Sequence, residues 1–488
     1  MKKFRQAFLL AMVAALLVTT VGCGAGSPAG SDGHTHVDAP SLNPDSPVVI
    51  TIWHYHTGAV LNTFDAMIRE FNETVGMQRG IIAEAMSFGG ISDLEAAVRA
   101  SAMQEVGSME LPNIFASFPD TAYTAQQLGL LANLDDYFTA EQQGEYFAQF
   151  IDRGRIGDHG ELRIFPVAKS AEVMFINQTD WQPFAAAQGF THADLQTMEG
   201  IARVAQAYYN WSGGRAFFGR DAFANLFVIG SKQFGTEIFE VEDGQATINI
   251  NQTAMRRIWD YYYLPFISGY FAAYGRFRSD DVRVGDLLAY VGSTASAVFF
   301  PEEVMVDGES HPITASVLPA PIFEGGERVM IQQGAGMVVT LATPEKQYAS
   351  LIFLRWFTEP DNNLRFSALT GRIPVREVAM DAGLVRDAAV QSDINLLDIT
   401  YETLNVAINE IRTSQMYATS SFTGGVEARA IINTDLRNKA IADRQEVLSL
   451  VEGGTEREDA IAGLASEENF RSWVAHLEMA LNQAVSGG

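Results

Sequence analysis

Short β-rich runs alternate with amphipathic helical segments along the chain, and this alternation limits the fold more than any other feature. The run 48–53 has the profile of a buried strand, and the apolar residues after it recur at spacings of three and four, as on one face of a helix. A second strand begins at Ile81. Ser92-Asp93-Leu94-Glu95 has the form of a capping box, which predicts a helix over 93–104, and 113–116 predicts a third strand. A β-α-β-α-β start indicates a mostly parallel sheet covered by helices on both faces.

Start and stop signals for helices continue in the second half. Thr343-Pro344-Glu345 has a capping hydroxyl, a proline at the first helical position and an acid in the first turn. Tyr348, Ile352 and Trp356 then form one apolar face. Gly371 is expected to end the segment after that helix through a positive φ, and the sequence from residue 395 onward predicts almost only helix.

The N-terminal segment predicts export. Lys2, Lys3 and Arg5 precede an apolar run over 7–18, which is too short for a comfortable membrane span and is typical of a secretory signal peptide. Cys23 follows, and it is the only cysteine in the chain. This arrangement resembles the lipobox of bacterial lipoproteins, although Thr20 stands where a leucine is usual. The resemblance implies removal of 1–22, a lipid on Cys23, and an extracytoplasmic protein tethered to the membrane by a flexible segment over 23–47. A secreted protein with an incidental cysteine is the alternative.

The charge balance excludes several classes of partner. The 59 acidic and 33 basic side chains give a formal net charge of −26. A nucleic-acid binder needs a basic surface to displace counterions, and an anionic membrane surface would repel this chain. With its one cysteine acylated the chain can form no disulfide, so its stability has to come from burial of apolar surface in two or three lobes.

Several ordered segments resemble extracellular solute-binding proteins of ABC importers, in the sugar-binding group that includes the maltose-binding and glycerol-3-phosphate-type binders. The resemblance covers residues 48–484. It is carried by ITIWH (50–54), LPNI (111–114), GLLANLDDY (129–137), FPVAKS (165–170), FINQ (175–178), VGST (291–294), VLPAP (317–321), QGAGM (333–337) and TGRIPV (370–375). Asn113 replaces the usual acid of the second segment.

The resemblance implies an α/β fold of periplasmic-binding-protein-like class II, with two doubly wound lobes joined by a multi-strand hinge and a helical C-terminal region. Lobe 1 would contain 48–166 and 320–368, and lobe 2 would contain 167–318 and 369–488. It further implies a monomer that holds a small-molecule ligand such as a sugar, with ABC permease subunits as its partner, and with no cofactor and no metal.

Candidate ligand-binding residues lie where the predicted strands end, because ligands of open α/β sheets bind at the carboxyl ends of strands. Aromatic rings suit the C–H faces of a sugar, and polar groups suit its hydroxyls. These candidates are Trp53, His54, Tyr55, Ser117, Phe118, Ser293, Thr294, Gln333 and Gly334. For Trp53 and Tyr55 a core position is the alternative, and for Gly334 the alternative is a tight strand bend.

Charged candidates indicate a more specific ligand. Arg372 stands where the family often has tyrosine, and its planar fork of donors suits a carboxylate or phosphate as well as vicinal hydroxyls. Lys169 lies in the hinge segment, and Asp221 and Phe223 lie in an aromatic stretch beside Arg220. Together they could form a cationic pocket for an acidic or phosphorylated sugar. Ion pairs on the surface of an acid-rich protein are the alternative for Arg372 and Lys169.

Two other classes of function remain open at this point. The same fold could present its ligand to a sensor kinase or chemoreceptor instead of a permease. A lipid-anchored glycan hydrolase is the other class, with Asp135 and Asp136 as the conceivable carboxylate pair. Because adjacent side chains diverge and no nucleophile elbow, zinc-protease motif or phosphate-binding loop occurs, the sequence predicts a protein that is not an enzyme.

Overall fold

Two β-sheets organise the chain in the computed structural model, which describes residues 38–157, 159–306 and 308–486. The predicted signal peptide and Cys23 lie outside the described residues. The strands in chain order are β1 (Val48–His54), β2 (Ile81–Ser87), β3 (Ile114–Ser117), β4 (Ile164–Phe165), β5 (Glu172–Asn177), β6 (Phe218–Arg220), β7 (Phe239–Glu242), β8 (Gln245–Ile248), β9 (Ala289–Ser293), β10 (Glu303–Val306), β11 (Glu309–Pro312), β12 (Ala315–Pro319), β13 (Val329–Ile331), β14 (Gly336–Val339) and β15 (Gln415–Tyr417).

Helices cover both sheets and make up most of the C-terminal part. The longer helices are α1 (Gly58–Phe71), α2 (Ile91–Ala102), α3 (Pro119–Gln127), α4 (Gln178–Gln188), α5 (Met198–Trp211), α6 (Ala224–Gln233), α7 (Pro344–Phe357), α8 (Pro360–Thr370), α9 (Ala382–Gln391), α10 (Asp398–Thr413), α11 (Gly425–Glu452), α12 (Arg457–Leu464) and α13 (Glu467–Ser486). Shorter α-helical segments are Met77–Arg79, Ala140–Gln143, Ala148–Asp152, Gln252–Ile258, Leu264–Ile267 and Arg278–Arg283. No helix in these described parts of the chain combines the length and the apolar character that crossing a membrane would require.

The first sheet has the strand order β2-β1-β3-β14-β4. The parallel pairing of β1 with β2 and β3 confirms the sheet expected from the first five elements, whereas β14 joins antiparallel to β3 and β4. Helix α1 buries Phe64, Ile68 and Phe71 on the face that the spacing predicts. The residues just before β1 already belong to this lobe, because Asn43 and Pro44 lie directly against Gly80.

The second sheet has the order β12-β5-β9-β6, with β5 antiparallel to both of its neighbours. Helix α10 packs against β12 and β5, while α11 packs against α6 and α13. An aromatic core lies beneath these helices, in which the ring of Trp259 stacks on Tyr263 at 3.9 Å and on Trp473 at 5.5 Å between ring centres. The C-terminal helices therefore belong to the second lobe.

The chain crosses between the sheets more than once. The segment between β4 and β5 leads from the first sheet to the second, and the segment between β12 and β14 leads back. A third crossing follows α8, which packs on α1 of the first lobe, and leads to α10 of the second. We propose that the lobes divide near residues 166, 319 and 368, as the sequence predicts.

Candidate functional site

Three crossing segments meet at Lys169 and Ser170. The backbone N–H and C=O of Lys169 pair with Ile373 at 3.0 and 2.7 Å, and those of Ser170 pair with Gln333 at 3.0 and 2.8 Å. The 169–170 segment is therefore the middle one of three antiparallel segments that link the lobes. The side chains of this middle segment lie next to those of the segments that contain Gln333 and Ile373.

The register aligns polar side chains on one face of these segments. In antiparallel pairing, the match of Lys169 with Ile373 places Arg372 opposite Ser170, and Gln333 lies opposite Ser170 on the other side. Two residues further along the middle segment, Glu172 lies on the same face and pairs with Ser293 of β9. We call this set the polar strip: Ser170, Glu172, Ser293, Gln333 and Arg372.

Two atoms of the polar strip are buried without a partner. They are Nε of Arg372 and Oε1 of Gln333. The guanidinium carbon of Arg372 lies 6.0 Å from the centre of the Tyr55 ring, and a small cavity of about 20 Å³ opens beside these two side chains. Because a buried polar atom without a hydrogen bond costs about 1–3 kcal/mol, these atoms are suited to a ligand that completes their bonding.

Two histidines lie at the end of the first strand, and the second of them, His56, lines this cavity. Nδ1 of His54 accepts a hydrogen bond from the backbone N–H of His56 at 3.1 Å, and the two rings stack at 5.1 Å. Burial lowers the pKa of His54 to about 4. Burial, with the nearby charge of Arg372, lowers the pKa of His56 well below its usual range. Both imidazoles are therefore neutral at pH 7 and add no charge beside Arg372.

Lys169 lies on the opposite face from the polar strip. Its Nζ donates a hydrogen bond of 3.4 Å to the carbonyl of Gly334, which has a φ of +100°. Within the ranges that the structure describes, no carboxylate forms an ion pair with Lys169. Burial accordingly lowers the pKa of Lys169 to about 8.

A hydrogen-bonded network extends from the polar strip into the second lobe. The carboxylate of Glu172 accepts bonds from Arg220 at 2.6 Å and from Nδ2 of Asn225 at 2.8 Å. Oδ1 of Asn225 in turn accepts a bond from Arg429 at 2.9 Å. Sequence reasoning missed Glu172, Asn225 and Arg429, because the three residues lie far apart in the chain.

Helix α3 of the first lobe meets helix α11 of the second at the end of this network. A Cβ placed on Gly425 would lie 3.2 Å from Oδ1 of Asp120. Burial raises the pKa of Asp120, and the positive charge of Arg429 opposes that rise. On the other side of Asp120, Glu95 accepts a hydrogen bond from the Thr121 hydroxyl at 2.8 Å, and burial raises its pKa also.

The remaining candidates at the ends of the first-sheet strands have local partners. The Trp53 ring packs against Phe88 with 4.8 Å between ring centres and is buried. The Ser117 hydroxyl is fully buried and donates to the carbonyl of Phe118 at 2.9 Å. The Phe118 side chain itself, at the start of α3, is 38% exposed.

The other second-lobe candidates lie close to the strip or in the core. Ser293 of the strip accepts a bond from the backbone N–H of Ala295, and the Thr294 side chain is fully buried with Oγ1 unpartnered. Oδ1 of Asp221 accepts a bond from the backbone N–H of Arg278 at 3.1 Å, and burial raises the pKa of this carboxyl to about 6. The Phe223 ring packs on Tyr262 in the core.

The structure thus brings four of the candidates together. Tyr55, Ser293, Gln333 and Arg372 lie on or beside the polar strip, while Lys169 and Gly334 lie on the reverse face and His54 lies behind His56. That these residues bind a ligand stays a prediction. Among the described residues, no group of three or more His, Cys, Asp or Glu side chains is placed to hold a metal ion.

Solved structures of binding proteins share this architecture. The chain superposes on the cyclic α-maltosyl-1,6-maltose binding protein of Arthrobacter globiformis with a TM-score of 0.63 and 19% identity, covering 91% of this chain and 100% of that one. UgpB of Mycobacterium tuberculosis, solved with glycerophosphocholine, superposes with a TM-score of 0.67 and 18% identity, covering 90% of this chain and 100% of that one. The maltose/maltodextrin-binding domain MalE of Bdellovibrio bacteriovorus, solved with maltotriose, superposes with a TM-score of 0.60 and 12% identity, covering 90% of this chain and 100% of that one.

These likenesses confirm the predicted fold class, which is the class II periplasmic-binding-protein architecture of two doubly wound lobes joined by a multi-strand hinge. No curated protein sequence matches the chain. Residues 66–397, more than half of the sequence, match the family described as bacterial extracellular solute-binding protein. The chain is therefore a member of the bacterial extracellular solute-binding proteins.

Proposed function

We propose that this protein captures a carbohydrate-type molecule between its two lobes and delivers it to the permease of an ABC importer. The polar strip carries this proposal, because it lies on the segments that connect the two sheets and leaves Nε of Arg372 and Oε1 of Gln333 without partners. Tyr55 adds an aromatic face beside Arg372. Aromatic faces and rim hydrogen bonds are the combination that a sugar needs. The carbohydrate ligands of the structurally similar proteins support the same class.

Binding drives closure in this proposal. A ligand that lies on the strip contacts both lobes only when they are close together, so it stabilises the closed arrangement by those extra contacts. Reversing a 1:99 population takes roughly 5.5 kcal/mol of differential binding, which several hydrogen bonds and one stacked ring can supply. No step breaks a covalent bond in the ligand, and the protein acts as a binder rather than an enzyme.

We also propose that the protein works as a monomer outside the cytoplasmic membrane, held there by a lipid on Cys23. Membership of an extracellular family supports the location, and the sequence of the first 23 residues supports the anchor. Metabolic labelling with a tritiated fatty acid should label the wild-type protein and leave Cys23→Ser unlabelled. Equal labelling of both proteins would contradict the anchor.

Calorimetric titration tests the binding function. The protein without residues 1–22 should bind at least one member of a panel of maltose, maltotriose, cellobiose, galactobiose and their acidic counterparts, and binding should raise its melting temperature. Gln333→Ala should weaken that binding by about tenfold through loss of one hydrogen bond. Gln391→Ala, at an exposed position at the end of α9, is the matched control and should bind like wild type.

Two further results separate the competing functions. Chromatography of the titrated sugar should show no cleavage products, and products would favour a hydrolase. In the host, deletion of the gene should abolish uptake of the bound sugar, and Gln391→Ala but not Gln333→Ala should restore it fully. Normal uptake in the deletion strain would favour presentation to a sensor.

A further inference from the structure

Arg372 differs from three other arginines around the first sheet. Arg155, Arg365 and Arg376 each lie within ion-pair distance of a carboxylate, namely those of Asp135, Glu70 and Glu145. For Arg372, the part of the chain that the structure describes offers no such carboxylate, although acidic side chains outnumber basic ones by 59 to 33 in the sequence. A half-buried cation without a counter-charge is unfavourable, and an anionic ligand would supply the charge that Arg372 lacks.

No Asp or Glu is among the described residues that line the small cavity beside Arg372. Apart from Tyr55 and His56, its neighbours in this cavity are apolar, among them Ala168, Ala335 and Phe366, and the imidazole of His56 is neutral. Glu172, the acid of the polar strip, already accepts bonds from Arg220 and Asn225. On the reverse face of the same segment, Lys169 also lacks a carboxylate partner. Positive charge thus lies on both faces of the crossing segments inside an anionic protein, with Arg372 on the face of the polar strip and Lys169 on the reverse face.

We propose, resting on the proposed function, that the ligand is an anionic carbohydrate whose carboxylate or phosphate group binds the guanidinium of Arg372. The planar fork of N–H donors of an arginine matches two oxygens of either group, and its hydrogen bonds to an anion are stronger than those to a neutral hydroxyl. The Tyr55 ring then contacts the C–H face of the sugar, and a ligand hydroxyl donates to Oε1 of Gln333. The polar strip discriminates by charge at one end and by hydrogen bonding at the other.

Matched pairs of sugars test the charge requirement. Calorimetric titrations compare galacturonate with galactose, digalacturonate with galactobiose, glucuronate with glucose, and glucose 6-phosphate with glucose. An anionic member of at least one pair should bind at least about tenfold more tightly than its neutral counterpart, since a hydrogen bond to a charged group contributes about 1.5–3 kcal/mol. The uronates and the phosphate distinguish the two anionic groups.

Variants at Arg372 complete the test. Arg372→Gln should weaken binding of that anionic sugar by about 10- to 100-fold with little change in melting temperature, and Arg372→Lys should recover part of the loss. Arg79→Gln removes the same charge at an exposed position of the first lobe and should bind like wild type. If a neutral sugar binds and Arg372→Gln changes its affinity by less than twofold, the anionic ligand is overturned while sugar capture stands. If no sugar of either class binds, sugar capture itself is overturned.

Discussion

At the scale of single residues, Lys169 carries a positive charge that the native protein solvates poorly. Its pKa is lowered from 10.5 to about 8 by burial. Between these two pH values the unfolded chain binds more protons than the native protein, so the free energy of unfolding should rise with pH there. Lys169→Met should raise stability at pH 7 by on the order of 1–3 kcal/mol and remove this rise.

Urea unfolding at several pH values between 7 and 10 measures both effects of Lys169→Met. Lys346→Met, a substitution on the first turn of the surface helix α7, is the control and should leave the pH dependence as in wild type. A Lys169→Met protein that is less stable than wild type at pH 7 would show that the bond to Gly334, or a counter-charge, outweighs the desolvation of the ammonium group.

Asp221 gives the opposite pH dependence. Burial raises its pKa from 3.8 to about 6, so the native protein binds the proton more tightly than the unfolded chain. The stability linked to this proton is fully present below about pH 4 and is lost as the pH rises through 6. Asp221→Asn keeps an oxygen that accepts from the backbone N–H of Arg278 and has no carboxyl group to ionise. The free energy of unfolding of the variant, relative to that of wild type, should therefore increase from pH 4 to pH 7. Thermal unfolding at pH 4 to 7 measures this stability difference, and Asp387→Asn, at an exposed position, is the control. A stability difference between Asp221→Asn and wild type that does not depend on pH would contradict the burial of an ionised carboxyl.

The alternation of side chains along a strand explains why the sequence alone did not predict which residues of the crossing segment lie on the polar strip. Sequence reasoning chose Lys169 for its charge, whereas the register points Lys169 away from the polar strip and directs Ser170 and Glu172 toward it. A shift of one residue along a strand exchanges its two faces. The face is set by pairing with Gln333 and Ile373, which lie more than 160 residues away in the chain, so the local sequence contains no signal for it.

At the scale of the helices, capping residues in the sequence predicted the helix ends correctly where their side chains form no hydrogen bond with a distant residue. Thr343 caps α7 through the Lys346 N–H, and Gly371 ends α8 with a φ of +65°, both as predicted. The predicted start of α2 at Asp93 was wrong, because the helix begins at Ile91 after Gly90 and has no side-chain cap. Glu95 does not close a capping box; it accepts a hydrogen bond from Thr121 on α3 instead.

Gly371 provides a test of how a helix end is fixed between the lobes. A Cβ at this position would lie 2.7 Å from the carbonyl oxygen of Thr294, in addition to the unfavourable positive φ. Gly371→Ala should therefore lower the free energy of unfolding by roughly 2–4 kcal/mol. Gly189→Ala is a matched control, since Gly189 ends α4 with a φ of +77° and has open space around it, and it should lose only about 1–2 kcal/mol. Equal losses in urea unfolding would mean that the carbonyl of Thr294 moves away at no cost.

At the scale of the whole molecule, the alternation of strands and helices was enough to predict a mostly parallel sheet covered by helices, because each segment has its own hydrophobic periodicity. The two lobes and their crossing segments were expected only from the resemblance to solute-binding proteins. The antiparallel entry of β14 and β4 into the first sheet was not predicted, since strand direction depends on a chain that returns from the other lobe. The contact between α3 and α11 was missed for the same reason. Its partners, Asp120 and Arg429, are separated by about 300 residues and neither has a distinctive motif.

That contact predicts how the lobes are held together without a ligand. Arg429 is bound by Asn225 in the second lobe and acts electrostatically on Asp120 of the first, so its charge favours approach of the two lobes. Arg429→Gln should shift the protein toward a more open arrangement, seen as a larger radius of gyration in small-angle X-ray scattering, and should weaken sugar binding several-fold because the closed form becomes rarer. Arg471→Gln removes an exposed arginine of α13 in the same lobe and should change neither quantity. Saturating sugar favours the closed form in wild type and variant alike, so it should restore the wild-type radius of gyration to Arg429→Gln. A variant that stays expanded in saturating sugar would show that Arg429 maintains the fold of the second lobe rather than the balance between open and closed forms.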